Sequence, residues 1–352
     1  MKNKFAVLGF GVVGSGVCEL FYKNKYLIER KVGAELDLHK ILDIRDFQNS
    51  PYSGKFTKDI NDILNDKSID IVCECMGGLE PAFTFVKNCL EVGKSVVTSN
   101  KELVAMRGDV LLKIAKTNGC NFFFEASVGG SIPIIKPLVN DLGANEISQV
   151  AGILNGTTNF ILTKMKNENY SFDDALKLAQ ELGYAERDPS ADISGLDANR
   201  KICILSSILS GKHIYPDWVK TLGIENITLN DINEVSEIGT IKLIAFSKIK
   251  DGKIYSFVSP MIVLLSNILS KVEDVYNAVM VYGDATGKTL FYGKGAGKLP
   301  TASAVLSDLI DAAKLTGNDT ACFWEHFSDE NFLSDPAELG FKLWKNKLPI
   351  LE

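Results

Sequence analysis

The most constraining feature of the chain is its start, where the apolar run at residues 4–9 (KFAVLG) passes directly into Gly9-Phe10-Gly11-Val12-Val13-Gly14. Behind it, residues 13–26 carry the apolar spacing of an amphipathic helix. The order is strand, glycine turn, helix. Gly9 serves the tight turn, Gly11 lets a pyrophosphate approach the backbone, and Gly14 lets helix and strand pack closely. Val12 and Val13 open the helix, whose first N–H groups and partial positive charge suit phosphates. Alone the pattern is weak, because any glycine turn between a strand and a helix mimics it.

The alternation continues, and that strengthens the reading. Residues 36–43, 69–75, 95–98 and 121–125 read as further strands, and 79–92 and 101–116 as helices. Five strands alternating with helices predict an α/β fold, a doubly wound parallel sheet of the Rossmann type. Ligands of such sheets lie beyond the carboxyl ends of the strands, which makes Gly77, Gly78, Ser99, Asn100, Lys101 and Glu125 the rim of a site. Lys101 opens a helix, where a cation opposes the helix dipole and so needs another reason to be there. Asp43 lies near the end of the second strand, where a ribose-binding carboxylate is expected, though farther from the glycines than the usual ~20 residues. Arg45 follows it. A carboxylate there suits a free 2′-hydroxyl and an arginine suits a 2′-phosphate, so NAD and NADP both stay open. A solvated turn is the plain alternative for both residues.

At 352 residues the chain exceeds one ordinary core, and two domains are expected. A formal charge of −6 without any basic run argues against nucleic acid. No apolar stretch approaches the roughly 20 residues that span a bilayer, and no signal-peptide pattern precedes the first strand, so a cytoplasmic protein without a membrane partner is expected. Seven cysteines, an odd number without paired spacings, read as reduced thiols rather than a disulfide framework or a zinc site.

Past Glu125 the composition changes to small residues at 126–133, a hinge or a loop whose backbone groups face an ion. Residues 147–154 alternate like a strand. Asn155-Gly156-Thr157-Thr158-Asn159 then reads as a structural turn, with Thr157 or Thr158 as N-cap of the next helix. A helix at 175–182 ends at Gly183. The richest stretch follows, with Glu186, Asp188, Asp192 and Asp197 within twelve residues. If a helix begins near Leu196, Asp197 and Lys201 share one face. The stretch is either an acidic rim with a surface ion pair, or a site where carboxylates hold a substrate ammonium while a lysine exchanges a hydroxyl proton. His39, His213 and His326 sit in no motif, so lysine is the better acid/base.

Taken together, these motifs resemble the homoserine dehydrogenase family over about residues 4–315. The marks are the GFGVVG turn, Ser99-Asn100-Lys101, Phe124 to Gly130 (FEASVGG), Gly152 to Asn159 (GILNGTTN), the stretch 183–201, and Gly293 to Gly297 (GKGAG) leading to Pro300-Thr301-Ala302-Ser303-Ala304. The resemblance implies NADP- or NAD-dependent interconversion of L-aspartate 4-semialdehyde and L-homoserine, a step of threonine and methionine biosynthesis. It implies Lys201 as proton donor and acceptor, with Lys101 beside it contacting cofactor and substrate. Glu186, Asp192 and Asp197 match positions that hold or orient the amino-acid substrate. A sodium ion is implied at Glu125, Val128, Gly130 and Ile132, largely through backbone carbonyls, and Gly295 and Gly297 are expected near the nicotinamide.

The resemblance also implies the layout: a dinucleotide domain at 1–130, an α+β substrate-binding domain with an open, dimerising sheet at 131–290, and a return segment at 291–317 completing the first domain. Residues 318–352 form an extension without an assigned role, read as an added helical cap. Two departures from the family stand out. The chain ends about 35 residues after the last motif, so feedback through a threonine-binding domain is not expected, and Asn267-Ile268-Leu269-Ser270 stands where the family often has His-Pro-Leu-Ala. The rival readings are another amino-acid dehydrogenase and a dinucleotide-sensing regulator, which would bind cofactor without turnover and would not need the Asp197 and Lys201 pair. Aspartate semialdehyde dehydrogenase needs a cysteine with a histidine base, and no such pair is evident.

Overall fold

A computed structural model describes residues 4–315, 317–318, 322–327, 331–345 and 347–352. The chain divides into two units, residues 1–136 with 296–325, and residues 137–295 with 326–352.

The first unit holds six strands, β1 (Lys4–Leu8), β2 (Asp37–Leu42), β3 (Phe56–Thr57), β4 (Ile71–Glu74), β5 (Ser95–Thr98) and β6 (Phe122–Phe123). They form one parallel sheet in the order β3-β2-β1-β4-β5-β6, the order of dinucleotide-binding sheets, which reverses between β1 and β4. The helices are α1 (Val12–Lys23), α2 (Lys25–Val32), α3 (Asn61–Leu64), α4 (Ala82–Glu91) and α5 (Lys101–Thr117). Every residue of β4 and β5 is buried, as expected where helices cover both faces of a parallel sheet. The return helix, Lys298–Lys314, lies along α1, and Gly16 permits the approach, since a Cβ there would stand 2.9 Å from the Lys298 carbonyl oxygen. Phe5 and Phe21 meet edge to face at 4.9 Å in the core below.

Two expectations change here. The sheet has a sixth strand, the two-residue β3, where five strands were expected. The strand expected at 121–125 stops after Phe123, because residues 125–127 turn into a short 3-10 helix that aims the Glu125 side chain back into the unit.

The second unit contains β7 (Ile147–Ile153), α6 (Gly156–Glu168), α7 (Phe172–Glu181), α8 (Ser190–Ile193), α9 (Leu196–Ser210), β8 (Lys220–Thr221), α10 (Leu229–Val235), β9 (Gly239–Lys250), β10 (Lys253–Leu264), β11 (Tyr276–Gly283) and β12 (Gly287–Lys294). The long strands pair antiparallel in the order β12-β11-β7-β9-β10. α9 packs against β9 and β10, with Ser206 and Ser256 hydroxyls 3.0 Å apart. On Phe246 and Phe257 lies a second apolar cluster, which Phe341 and Leu351 of the tail join.

The tail is extended where it was expected to be helical. β13 (Phe332–Leu333), β14 (Leu343–Trp344) and β15 (Leu348–Leu351) continue this sheet, and both β13 and β15 run parallel to β10. Pro336, Pro349 and Gly340, the last at φ +74°, break any helical run, and burial alternates along β15. No helix among the described residues is long and apolar enough to cross a membrane.

Candidate functional site

The glycine turn joins β1 to α1. Gly9 sits at φ +88°, and a Cβ there would lie 2.9 Å from Met76 Cα. A Cβ on Gly14 would stand 1.9 Å from the Gly9 oxygen, so the helix can approach the turn this closely only because residue 14 is glycine. Gly11 differs, because a Cβ there would meet nothing within 4 Å of it. It is the N-cap of α1, without a side chain to cap the helix and with no acidic residue in the first turn. Val12 beside it is exposed, while Val13 packs on the core. An open, uncapped helix start of this kind fits a dinucleotide pyrophosphate.

At the end of β2, Asp43 is buried and saturated with donors. It accepts the Phe10 amide at 2.7 Å, the Arg45 amide at 3.0 Å, and Arg45 Nε and Nη2 at 2.9 and 2.8 Å. The Arg45 guanidinium, through these hydrogen bonds, holds the Asp43 carboxyl down to about 2. Arg45 itself is exposed and lies over the Phe47 ring at 5.1 Å.

The neighbouring loops carry Gly77 at φ +79°, exposed beyond β4, and Lys101, half-buried as the first residue of α5. Asn100 caps that helix, its Oδ1 accepting the Leu103 amide.

Glu125, Val128, Gly130 and Ile132 are all buried. The Glu125 carboxylate accepts the amides of Ile134, Ile135 and Lys136 at 2.6, 2.9 and 2.7 Å, while its own amide donates to Asp308. Gly130 has φ +58°, and a Cβ on Gly129 would lie 2.3 Å from the Ile132 oxygen. The Glu125 carboxylate is thus engaged by three amides inside the loop. Burial pushes the Asp308 carboxyl up to about 7, although Lys136 Nζ lies 3.0 Å from its Oδ1.

In the second unit the acidic stretch separates into two parts. Glu186 and Asp188 are exposed. Asp197 and Lys201 are buried on one face of α9, with Lys201 Nζ donating to Asp197 Oδ2 at 2.7 Å and to the Leu154 carbonyl at 2.6 Å. Gly195, at φ +85°, starts the helix where this i,i+4 pair requires it. Asp192 is joined to the pair by Asn155, whose Nδ2 donates to Asp192 Oδ1 at 2.7 Å and to Asp197 Oδ2 at 2.9 Å. Burial raises the Asp192 pKa, and the neighbouring Asp197 charge raises it further.

Asn155 is the residue that spacing missed. It also caps α6 by accepting the Thr158 amide at 2.8 Å, so neither Thr157 nor Thr158 is the cap. Thr157 instead donates to the Tyr184 carbonyl at 2.8 Å. Gly295 is buried, and a Cβ on it would fall 1.9 Å from Asn277 Nδ2. Gly297, at φ +126°, starts the return helix.

Comparison with known proteins identifies the family. A family model for homoserine dehydrogenase matches residues 133–310, and one for the homoserine dehydrogenase NAD-binding domain matches residues 9–125. The homoserine dehydrogenase of Bacillus subtilis is 40% identical over 325 residues, covering 90% of this chain and 75% of the relative. The crystal structure of a homoserine dehydrogenase from Thiobacillus denitrificans superposes with TM-score 0.87 at 38% identity, covering 99% of this chain and 79% of that one. A hyperthermophilic archaeal homoserine dehydrogenase in complex with NADPH has TM-score 0.75 and 31% identity, over 89% of this chain and 98% of that one. The chain belongs to the homoserine dehydrogenase family of NAD(P)-dependent oxidoreductases acting on a CH–OH group.

Proposed function

We infer that the chain interconverts L-homoserine and L-aspartate 4-semialdehyde, with Lys201 moving the hydroxyl proton. The observation that carries this reading is the buried Lys201 ammonium site, fixed between Asp197 Oδ2 and the Leu154 carbonyl. A nicotinamide dinucleotide, bound at the glycine turn through Gly9, Gly11, Val12, Val13 and Gly14, supplies the hydride acceptor or donor. In the oxidative direction the neutral Lys201 amine takes the homoserine hydroxyl proton as hydride leaves the same carbon. In the reductive direction the ammonium returns that proton to the aldehyde oxygen. Asp197 stabilises the ammonium form and keeps it aimed. Asp192 and Glu186 hold the substrate's own ammonium group, and Lys101 contacts cofactor and substrate. Gly77, Gly295 and Gly297 border the cofactor.

The reading favours NADP. Asp43, already holding Phe10 and Arg45, is a poor acceptor for a ribose 2′-hydroxyl, and the exposed Arg45 offers a guanidinium to a 2′-phosphate. Sodium belongs to the same reading, held by the carbonyls of Glu125, Val128, Gly130 and Ile132 with the Glu125 carboxylate excluded. A homodimer formed through the second sheet, in the cytoplasm, completes it. Steady-state assays at alkaline pH with L-homoserine and either NADP⁺ or NAD⁺ test the reading. Reduced nicotinamide must appear with homoserine and not with threonine or serine. A folded, dinucleotide-binding protein that is silent with homoserine overturns it.

A further inference from the structure

The end of β4 buries a carboxylate that the proposed chemistry does not use. Glu74 is 0% exposed, and burial raises its pKa against the hydrogen bonds that Thr98, Met76 and Gly77 give it. No lysine or arginine among the described residues pairs with it. A carboxylate taken out of water must be satisfied by hydrogen bonds, and an apolar side chain of similar size generally serves a core as well or better. A purely structural sheet position therefore gains little from glutamate.

What Glu74 does gain is a ring of contacts between two loops. Its Oε1 accepts the Met76 amide at 2.7 Å and the Gly77 amide at 3.3 Å. Its Oε2 accepts the Thr98 hydroxyl at 2.5 Å. Thr98 Oγ1 accepts the Asn100 amide at 2.9 Å, and Asn100 Nδ2 donates back to the Gly78 carbonyl at 2.7 Å, which closes the ring. Gly77 and Gly78 both sit at positive φ, +79° and +72°, and bring no side chains of their own to hold the first loop in place. The second loop ends at Asn100, the N-cap of α5, and Lys101 is the next residue. Both loops leave the carboxyl ends of adjacent parallel strands, β4 and β5, where ligands of such sheets are met.

We propose that Glu74 is a positioning residue for the reaction, its buried carboxylate clamping the Met76–Gly78 loop to the Thr98–Asn100 turn so that the cofactor loop and Lys101 are held as one piece. This rests on the roles given above to Gly77 and Lys101. A carboxylate is suited to the task because its two oxygens accept from both loops at once.

The test compares Glu74→Ala with Glu74→Gln in kcat, in KM for homoserine, and in dinucleotide affinity measured by quenching of intrinsic fluorescence. Glu74→Ala is expected to lower kcat by about tenfold or more and to weaken dinucleotide binding by about fivefold, as small misplacements of reacting groups do. Glu74→Gln is expected to restore both to within about threefold, since its amide oxygen still accepts from Met76 and Gly77 while its amide nitrogen reaches Thr98 Oγ1. An alanine variant that behaves as the wild type overturns the proposal, and so does a glutamine variant as damaged as the alanine one. If Glu74→Ala loses its thermal transition, Thr98→Val decides. It must lose about threefold or more in kcat and in dinucleotide affinity while keeping a cooperative thermal transition, and a folded but silent Thr98→Val overturns the clamp. Because the binding titration needs no turnover, a wild type that binds dinucleotide but leaves homoserine untouched removes the proposed reaction and still lets the clamp be judged.

Discussion

Replacing Asn155 by serine and by alanine separates two tasks that one carboxamide performs. Its oxygen caps α6 through the Thr158 amide, and its nitrogen bridges Asp192 and Asp197 at 2.7 and 2.9 Å. An N-cap is worth about 1 kcal/mol. Hydrogen bonds to charged groups are worth roughly 1.5–3 kcal/mol each. The two share one donor group, and Asp192 is only half-buried, so their joint contribution is set at about 2 kcal/mol. Serine keeps a capping oxygen but is too short to join both carboxylates, so Asn155→Ser should cost about 2 kcal/mol and Asn155→Ala about 3. Freed from the bridge, Asp197 no longer holds a single orientation toward Lys201, and kcat should fall by roughly 10- to 100-fold in both variants. Urea unfolding midpoints and steady-state kinetics read the two effects independently. A serine variant with wild-type stability and turnover would rule out the bridge, because it would then hold nothing.

Two further outcomes follow from charge and burial. Lys242 is 1% exposed and donates to Asn159 Oδ1 and the Val272 carbonyl, and burial lowers its pKa from 10.5 to about 7. Between those values the unfolded chain binds a proton that the folded chain does not. Stability must therefore rise with pH from about 7 toward 10.5, by a few kcal/mol, and Lys242→Met should flatten that part of the profile; a slope that survives the substitution contradicts the assignment. Arg45→Ala should weaken NADP⁺ by about tenfold or more while leaving NAD⁺ within about twofold, and equal effects on both would show that Arg45 only shapes the β2 turn.

The first unit was legible because its signals are local. The glycine turn, the buried runs of β4 and β5 and the start of α5 at Lys101 are each written within a few residues. β3 escaped because two residues, Phe56 and Thr57, carry no period. The strand expected at 121–125 failed because the Glu125 carboxylate answers amides nine to eleven residues downstream, a contact that periodicity does not express. In the second unit the Asp197 and Lys201 pair was readable from helical spacing, whereas the Asn155 bridge spans 37 and 42 residues of sequence. Glu74 was absorbed into an apolar strand, and its partners lie across the sheet on Thr98 and Asn100. In the tail a helical cap was expected, but Pro336, Gly340 and Pro349 favour the strands that it adds to β10 and β15.

Proton transfer by Lys201 is put to the test by the Lys201→Ala variant, with turnover of homoserine and affinity for dinucleotide measured on the same preparation. The expected result is a kcat lower by about 10²–10⁴-fold, the range for losing a positioned general acid or base, with dinucleotide affinity nearly unchanged. A variant that turns over within a fewfold of the wild type would contradict it and move the proton to another group.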